Sequence, residues 1–560
     1  VSETRDTYLL LRAFVDELAR CGVAGACTSP GSRSTPLVLT LARDGRIPCW
    51  SHVDERAAGF FGLGLAKATG RPAVLACTSG TAAAHYYPAV IEAREARVPL
   101  IVLTTDRPPE LRDVGAGQTI DQLRLFGPFA KWFVEVGTHP HTPARERWIR
   151  RLACRAMWTA LGDRPGVVHL NLPLREPLVL DEPLAPGGQA ADDAAPSLRR
   201  SEGARGGTAA FHAALAGFTR PLVVAGRQER GAVTAAPPGV PVLADPLSGR
   251  RRGPGAVAHY DALLRDEAVA ADPGLHPDLV LRLGDLPTSK PLRAWLAELD
   301  AEQWSLDPEG AWQDPDGVVT RSFALDPADA LGPDAPLTPQ QDWAEGWRRA
   351  DAHAAAALDA VLGDELSEPN VARALAVAVP AGARVIVAAS MPIRDVETFW
   401  PVLDAPPLAL ANRGANGIDG TLSTAFGVAA AGTGPTYVLL GDVAFAHDLG
   451  GLLAGPRLGL DLTAVVVDNE GGGIFDFLPV STQRDHYAEH VLTPTALDIE
   501  RAAALYGAAY AAVGDLAGLH AALAEPPRGV RILHVRTRRD ANVALHRRCW
   551  DAVRVRTSRR

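Results

Sequence analysis

The sequence predicts an α/β protein made of three doubly wound parallel-sheet domains. Three observations carry that prediction. The first is a pair of apolar runs, Thr436–Leu440 and Leu462–Val467, that end abruptly at Gly441-Asp442 and Asp468-Asn469. Both have the length and β-branched content of buried parallel strands. The second is a β-α-β-α alternation that occupies the first 172 residues and restarts near Arg384. Such alternation gives parallel sheets with helices on both faces. The third is a pair of loose stretches, Leu180–Gly207 and Asp326–Pro339, rich in Pro, Ala, Gly and Asp, that cut the chain into three parts. The expected domains are 1–182, 205–330 and 345–560.

Taken in order, residues 7–21 read as an amphipathic helix and Val23–Thr28 as a short strand. The loop Ser29–Pro36 follows, then a strand over Ile47–His52. A helix of small residues, AAGFFGLGLAKATG, comes next. Pro72–Thr78 reads as a strand, Gly80–Arg94 as one helix, Val98–Thr105 and Val167–Leu172 as strands. The middle part offers strands at Pro221–Ala225, Val240–Ala244 and Asp278–Leu283. The last part adds Arg384–Ala389 and Leu408–Ala411 to the two runs already named. The end of the chain, from Thr537, is basic and reads as surface-lying.

Composition narrows the function. Over 560 residues the apolar fraction is 47%, the charged fraction 22% and the net charge −9, so no basic footprint argues for nucleic acid. The lysines are only Lys67, Lys131 and Lys290, against many arginines. Six cysteines form no CxxC and no regular framework, as expected in a reducing compartment. No apolar stretch reaches 18 residues, so no membrane span is expected. The first residues lack the basic start and cleavage site of a signal peptide, and a cytoplasmic location is expected.

The chemistry gathers at strand ends. Asp442 and Asn469, 27 residues apart, arrive at the carboxyl ends of two strands joined by one crossover. A carboxylate, an amide oxygen and a nearby backbone carbonyl suit a hard divalent cation that takes its other ligands from water and phosphate. Glu55 follows a strand and opens a helix. Gly62-Leu63-Gly64 starts like a dinucleotide loop, but Lys67 stands where the next glycine belongs, and the string lies inside a helix. His447, His486 and His490 are scattered without zinc spacing.

The Asp442/Asn469 pattern resembles the motif of thiamine diphosphate enzymes, usually GDG, a crossover, then NN. Here Val443 replaces the last glycine and Asp468 the first asparagine, and neither removes a ligand. Five further strings resemble one family within that superfamily, the menaquinone-pathway MenD family of 2-succinyl-5-enolpyruvyl-6-hydroxy-3-cyclohexene-1-carboxylate synthases. They are SPGSRSTP from Ser29, TSGTA from Thr78, TDRPPEL from Thr105, SMPIRD from Ser390 and NRGANGIDG from Asn412. Gly117 and Ala389 stand where that family's pattern has Asn.

The resemblance implies a fold of the thiamine diphosphate decarboxylase type, with a pyrimidine-binding domain, a central domain and a diphosphate-binding domain. It implies that Asp442, Asn469 and the Gly471 carbonyl hold Mg2+, or Mn2+, on the diphosphate. Ser390, Met391, Gly417, Gly441, Val443 and Gly472 complete the cofactor cradle, and Ile418 is the wedge that keeps the cofactor folded. Ile474, Phe475 and Leu478 line its thiazolium side. Glu55 bonds to the aminopyrimidine and moves its proton, as a carboxyl with a raised pKa can. Ser32, Arg33, Arg107, Gln118, Ser390, Arg394 and Arg413 are the implied substrate contacts, joined by Lys290 or its competitor Arg293. Guanidinium forks suit a reaction between two anions. The implied reaction joins 2-oxoglutarate to isochorismate with loss of CO2, in a dimer of dimers whose site takes Glu55 from one subunit and the metal ligands from another. No nucleic acid or membrane partner is implied. An acetohydroxyacid synthase-like enzyme is the alternative, disfavoured by three substrate arginines. A non-catalytic regulatory relative is the alternative of another class, disfavoured by intact Glu55, Asp442 and Asn469.

Overall fold

The computed structural model describes residues 2–182, 184, 195–198, 207–228, 237–332, 335–483 and 485–557. Most of the 180–207 linker reading, the start of the expected central domain and residues 558–560 of the basic end lie outside the described residues. The described chain forms two compact units. One holds residues 1–202 with 412–433 and 448–460, and the other holds the remainder.

The first unit is built on a six-stranded parallel sheet: β1 (Gly25–Thr28), β2 (Cys49–Ser51), β3 (Ala73–Cys77), β4 (Leu100–Asp106), β5 (Ala130–Glu135) and β6 (Val167–Pro173), in the order β2-β1-β3-β4-β6-β5. The strand order reverses between β1 and β3, so the loops after these two strands flank the crevice where such sheets bind ligands. Those loops are SPGSRSTP and TSGTA. The helix expected over Gly80–Arg94 is two helices, Thr81–His85 and Tyr87–Ala96. Pro88 explains the break, since it has no N–H to continue the first helix. The glycines of the Glu55–Thr69 helix are packing devices, as expected. A Cβ at Gly64 would lie 2.0 Å from the Thr424 carbonyl oxygen, and one at Gly427 would lie 2.0 Å from that of Phe61. Side chains there would push the helix Thr421–Ala430 off its neighbour.

The second unit contains two more parallel sheets. One has β7 (Pro221–Ala225), β8 (Val242–Ala244), β9 (Ala256–Val257), β10 (Leu279–Leu283), β11 (Glu302–Leu306) and β12 (Arg321–Phe323), ordered β12-β11-β10-β7-β8-β9. The other has β13 (Arg384–Val387), β14 (Leu408–Leu410), β15 (Thr436–Gly441), β16 (Leu462–Asp468), β17 (Ala509–Val513) and β18 (Val530–Arg536), ordered β14-β13-β15-β16-β18-β17. The last order repeats that of the first sheet, with its reversal between β13 and β15. The expectation of a solvated basic end is corrected. Residues Arg539–Thr557 are a helix whose Leu545, Cys549 and Val553 sit in a core with Trp347 and Leu358. Their spacing of four places them on one stripe, and Arg547, Arg548 and Arg554 are exposed. No helix among the described residues is long and apolar enough to cross a membrane.

Candidate active site

The metal-ligand candidates are set by β15 and β16, which pair in parallel with Gly441 opposite Val467. Asp442 is therefore the first residue beyond one strand, and Asn469 the first beyond the next. Both are buried, at 4% and 8% exposure. Asp442 Oδ2 and Asn469 Oδ1 have no hydrogen-bond partner among the described residues. Buried oxygens left this way are costly unless something binds them. Burial, then the nearby Asp468 charge, pushes the Asp442 carboxyl up to about 6 against the opposing backbone N–H groups of Gly471 and Val443. Such a group gains from a cation. Gly471 adopts φ 130°, and a Cβ there would meet the Leu492 carbonyl oxygen at 2.5 Å. Only glycine lets the loop turn back so that its backbone passes Asp442. One carboxylate oxygen, one amide oxygen and the loop carbonyl form a fitting donor set for Mg2+ or Mn2+. Gly441, Val443 and Gly472 lie beside it in the chain. Ile474 and Phe475 lie in the 3-10 turn Gly473–Phe477 that follows, Leu478 ends it, and all three are half-buried.

Ser390 stands across the reversal, after β13, at φ 74° and at the start of the helix Met391–Phe399. Met391 is buried. Arg394, one turn on, donates to the Ser390 carbonyl. Burial lowers the Arg394 pKa first; Glu397, Asp395 and Asp261 oppose that shift and Arg293 adds to it. The Arg293 charge thus reaches Arg394. Arg293 is partly buried, with Nε donating to the Pro287 carbonyl at 2.8 Å. Lys290 is exposed at the first position of its helix.

The first unit brings together a second group. Arg33 is 4% exposed; Nη1 donates to the Leu174 carbonyl at 2.8 Å and Nη2 to Glu176 at 2.9 Å, while Nε has no partner among the described residues. Arg107 donates to Ser79 Oγ, and its pKa is lowered by burial and then by the Arg33 charge. Gln118 Nε2 donates to the Ser79 carbonyl, and Ser79 Oγ donates to the Gln118 carbonyl, both at 3.0 Å. Gly31 packs on Thr78, where a Cβ would lie 2.3 Å from the threonine Cβ. Ser32 is exposed on the same loop. The Arg33 and Arg107 charges thus act on one another, and both guanidinium groups already have partners within this unit.

Glu55 starts its helix beside Asp54, whose side chain accepts the Arg56 N–H. Burial raises the Glu55 pKa most, opposed by its own backbone N–H and the His85 charge, with Asp54 adding a smaller upward push. The loop with Arg413, Gly417 and Ile418 is held by buried Glu92, which accepts the N–H groups of Gly414 at 2.8 Å and Ala415 at 2.6 Å. Gly420 packs on Phe60, the next turn of the Glu55 helix. The Ile418 carbonyl accepts the Thr421 hydroxyl at 3.1 Å.

Two features escaped the sequence. Glu92 and the buried Glu368, which accepts Asn469 Nδ2 at 3.0 Å, support site loops without belonging to any motif. Their partners lie 322 and 101 residues away, beyond any local signal. His486 and His490, read as scattered, do come together: with Glu489 their ligand atoms lie within 4.8 Å, all three exposed, because a helical turn brings residues four apart to one side.

Comparison with known proteins agrees with this layout. Residues 10–125 match the family described as thiamine pyrophosphate enzyme, N-terminal TPP binding domain. Residues 217–387 match the middle domain of thiamine pyrophosphate enzymes, and 397–533 the C-terminal TPP binding domain. A protein of Bacillus velezensis named 2-succinyl-5-enolpyruvyl-6-hydroxy-3-cyclohexene-1-carboxylate synthase is 42% identical over 556 residues, 96% of each chain. Proteins of the same name from Geobacillus kaustophilus and Halobacterium salinarum are 42% and 40% identical, covering 97% of this chain and 97% and 98% of their own.

Proposed function

From a chain that belongs to the 2-succinyl-5-enolpyruvyl-6-hydroxy-3-cyclohexene-1-carboxylate synthase family of thiamine diphosphate enzymes, we infer which residues perform the reaction of that family. The reaction joins 2-oxoglutarate to isochorismate with loss of CO2, in menaquinone biosynthesis. The observation that carries the assignment is the pair of partnerless buried oxygens, Asp442 Oδ2 and Asn469 Oδ1, at the ends of adjacent strands. They and the Gly471 carbonyl would hold the divalent cation that the diphosphate needs. Bound thiamine diphosphate supplies an electron sink for decarboxylation and carbon–carbon bond formation.

The remaining work falls to this chain's side chains. Glu55, its pKa raised by burial, would hold a proton at its carboxylate facing the aminopyrimidine ring of the bound cofactor. Ile418 would pack against the bound cofactor, and Ile474, Phe475 and Leu478 would keep water from its reacting side. Arg394 with Arg293 takes the distal carboxylate of 2-oxoglutarate, and Ser390 is a neutral donor beside them; Lys290 gives way to Arg293 in this reading. Arg33, Arg107 and Arg413, with Ser32 and Gln118, take the carboxylates of isochorismate. Holding both anions converts a bimolecular step into one between fixed partners. The labour divides among residues 1–182, 205–330 and 345–560 as pyrimidine-binding, central and diphosphate-binding domains. The working form is a cytoplasmic dimer of dimers in which Glu55 and the metal ligands of one site come from different subunits.

The test is incubation with thiamine diphosphate, Mg2+, 2-oxoglutarate and isochorismate, followed by mass spectrometry. The succinylated product and CO2 are expected. Equal consumption of pyruvate and 2-oxoglutarate would overturn the substrate assignment in favour of an acetohydroxyacid synthase-like one.

A further inference from the structure

We propose that Glu368 is a positioning residue that fixes which end of the Asn469 amide faces the metal. The proposal rests on the reading of Asp442 and Asn469 as cation ligands. An amide carries an acceptor at one end and two donors at the other, and its neighbours decide which way it points. Glu368 is 4% exposed and opens the helix Glu368–Val377. Its Oε1 accepts Asn469 Nδ2 at 3.0 Å and the Thr537 hydroxyl at 2.8 Å. With Nδ2 committed to Glu368, Oδ1 is left on the other side with no hydrogen-bond partner among the described residues. The reversed amide would set two acceptors against each other and present N–H groups to a cation.

The backbone of the ligand is held from the same direction. Arg539 Nη1 donates to the Asn469 carbonyl at 2.6 Å and also to that of Glu470. The Thr537 N–H donates to the Asp468 carbonyl at 2.9 Å, and Asp468 Oδ2 lies 3.0 Å from His534 Nε2. A Cβ at Gly473 would lie 2.7 Å from Asn469 Nδ2, so the loop closes over the amide and leaves it little room to turn. Thr537 lies in the short link between β18 and the last helix, and Arg539 is the first residue of that helix. The end of β18 and the helix start thus fix a ligand loop on the neighbouring strand of the same sheet. Partners that orient metal ligands are worth about 10–100-fold in metal affinity.

The experiment measures metal-dependent thiamine diphosphate affinity by calorimetry, and Mn2+ affinity by electron paramagnetic resonance, on the full chain. Glu368→Ala should weaken both by about 10–100-fold. Glu368→Gln keeps a carbonyl oxygen for Asn469 and Thr537 and should stay close to wild type. Asn469→Asp keeps an oxygen for the cation but turns a second one against Glu368, and should bind weakly. Glu368→Gln added to Asn469→Asp can offer an N–H to that oxygen and should recover most of the loss. Asp442→Ala is the control for the underlying reading: wild-type affinity there overturns the ligand assignment itself. If Asp442→Ala loses affinity while Glu368→Ala keeps it, the positioning role alone is overturned. Should circular dichroism show Glu368→Ala to be unfolded, the Asn469→Asp pair decides, and no recovery in the double variant overturns the role.

Discussion

The central sheet and the third sheet have the same architecture and the same kind of strand-order reversal, yet they treat the crevice at that reversal in opposite ways. In the third sheet the chain delivers Ser390 and Asp442 to the two sides, and Asp442 Oδ2 has no hydrogen-bond partner among the described residues. In the central sheet the reversal falls between β7 and β10, and it is sealed. A Cβ at Gly226 would lie 1.5 Å from the Asp285 carbonyl oxygen, and one at Gly284 would lie 2.3 Å from that of Arg227. The two backbones touch, and Arg227 Nε donates to Asp285 Oδ2 at 2.9 Å across the top, both side chains nearly buried. The difference teaches that a doubly wound sheet supplies a place for a ligand and not a ligand site. Two glycines and one ion pair are enough to convert that place into a staple.

The sharpest way to break this comparison is to remove the equivalent acid from each sheet. Asp442→Ala should abolish tight, metal-dependent cofactor binding while the fold survives, a loss of at least about 100-fold read by calorimetry. The next effect concerns the donor. Arg394→Ala should narrow the preference for 2-oxoglutarate over pyruvate, because only the former has a distal carboxylate. A buried charge left without its partner costs roughly 3–5 kcal/mol, about two to four orders of magnitude in selectivity. Consumption of the two acids at equal concentration measures it, and an unchanged ratio moves the distal contact to another arginine. Asp285→Ala should do the reverse of Asp442→Ala, keeping cofactor affinity and costing stability. Breaking a buried pair by removing one partner costs about 3–5 kcal/mol, visible as a lower denaturation midpoint. Cofactor loss in that variant would mean that the central crevice also serves the site.

The smallest expected effect is a pH dependence. Glu397 is buried on the Arg394 helix, accepts the Tyr260 hydroxyl at 2.9 Å and the Ser289 N–H at 2.9 Å, and so ties that helix to the one bearing Arg293. Burial, with Asp245 and Asp261 nearby, raises its pKa from 4.5 to about 8. A raised carboxyl pKa means that the fold prefers the protonated group. Its stabilising contribution is full below the unfolded value of 4.5 and is lost as pH rises through about 8. Glu397→Gln should therefore lose less stability than wild type between pH 6 and pH 9 in denaturant titrations. Parallel curves would assign the alkaline loss to other groups.

Much of this was legible in the sequence, for identifiable reasons. The runs ending at Asp442 and Asn469 are buried on both faces, so their apolar content is unbroken and their ends are sharp. Pro221–Ala225 is the same kind of strand and has the expected bounds. Two edge strands, β2 and β14, were legible, but others were hidden. Ala509–Val513 and Ala130–Glu135 are only partly covered, and their mixed composition matches no simple period. Val530–Arg536 is a central strand whose charged residues mask it. The arginines of the last helix concealed the stripe of Leu545, Cys549 and Val553 in the same way. Glu368 could not have been found, since nothing near Ser367-Glu368-Pro369 marks it as anything but a helix start. Its meaning comes from Asn469 and Thr537, 101 and 169 residues along the chain.

The crossing of the Glu55–Thr69 and Thr421–Ala430 helices has a consequence for synthesis. The first unit needs a helix that lies more than two hundred residues beyond residue 202. At about 5–20 residues per second, the ribosome delivers that helix roughly ten to fifty seconds after residue 202. During that interval the face bearing Phe60 and Gly64 has been made and has nothing to pack on. The part of the chain born first is therefore not the part finished first. A holdase chaperone has its clearest target on this protein while the ribosome is still working through the central sheet.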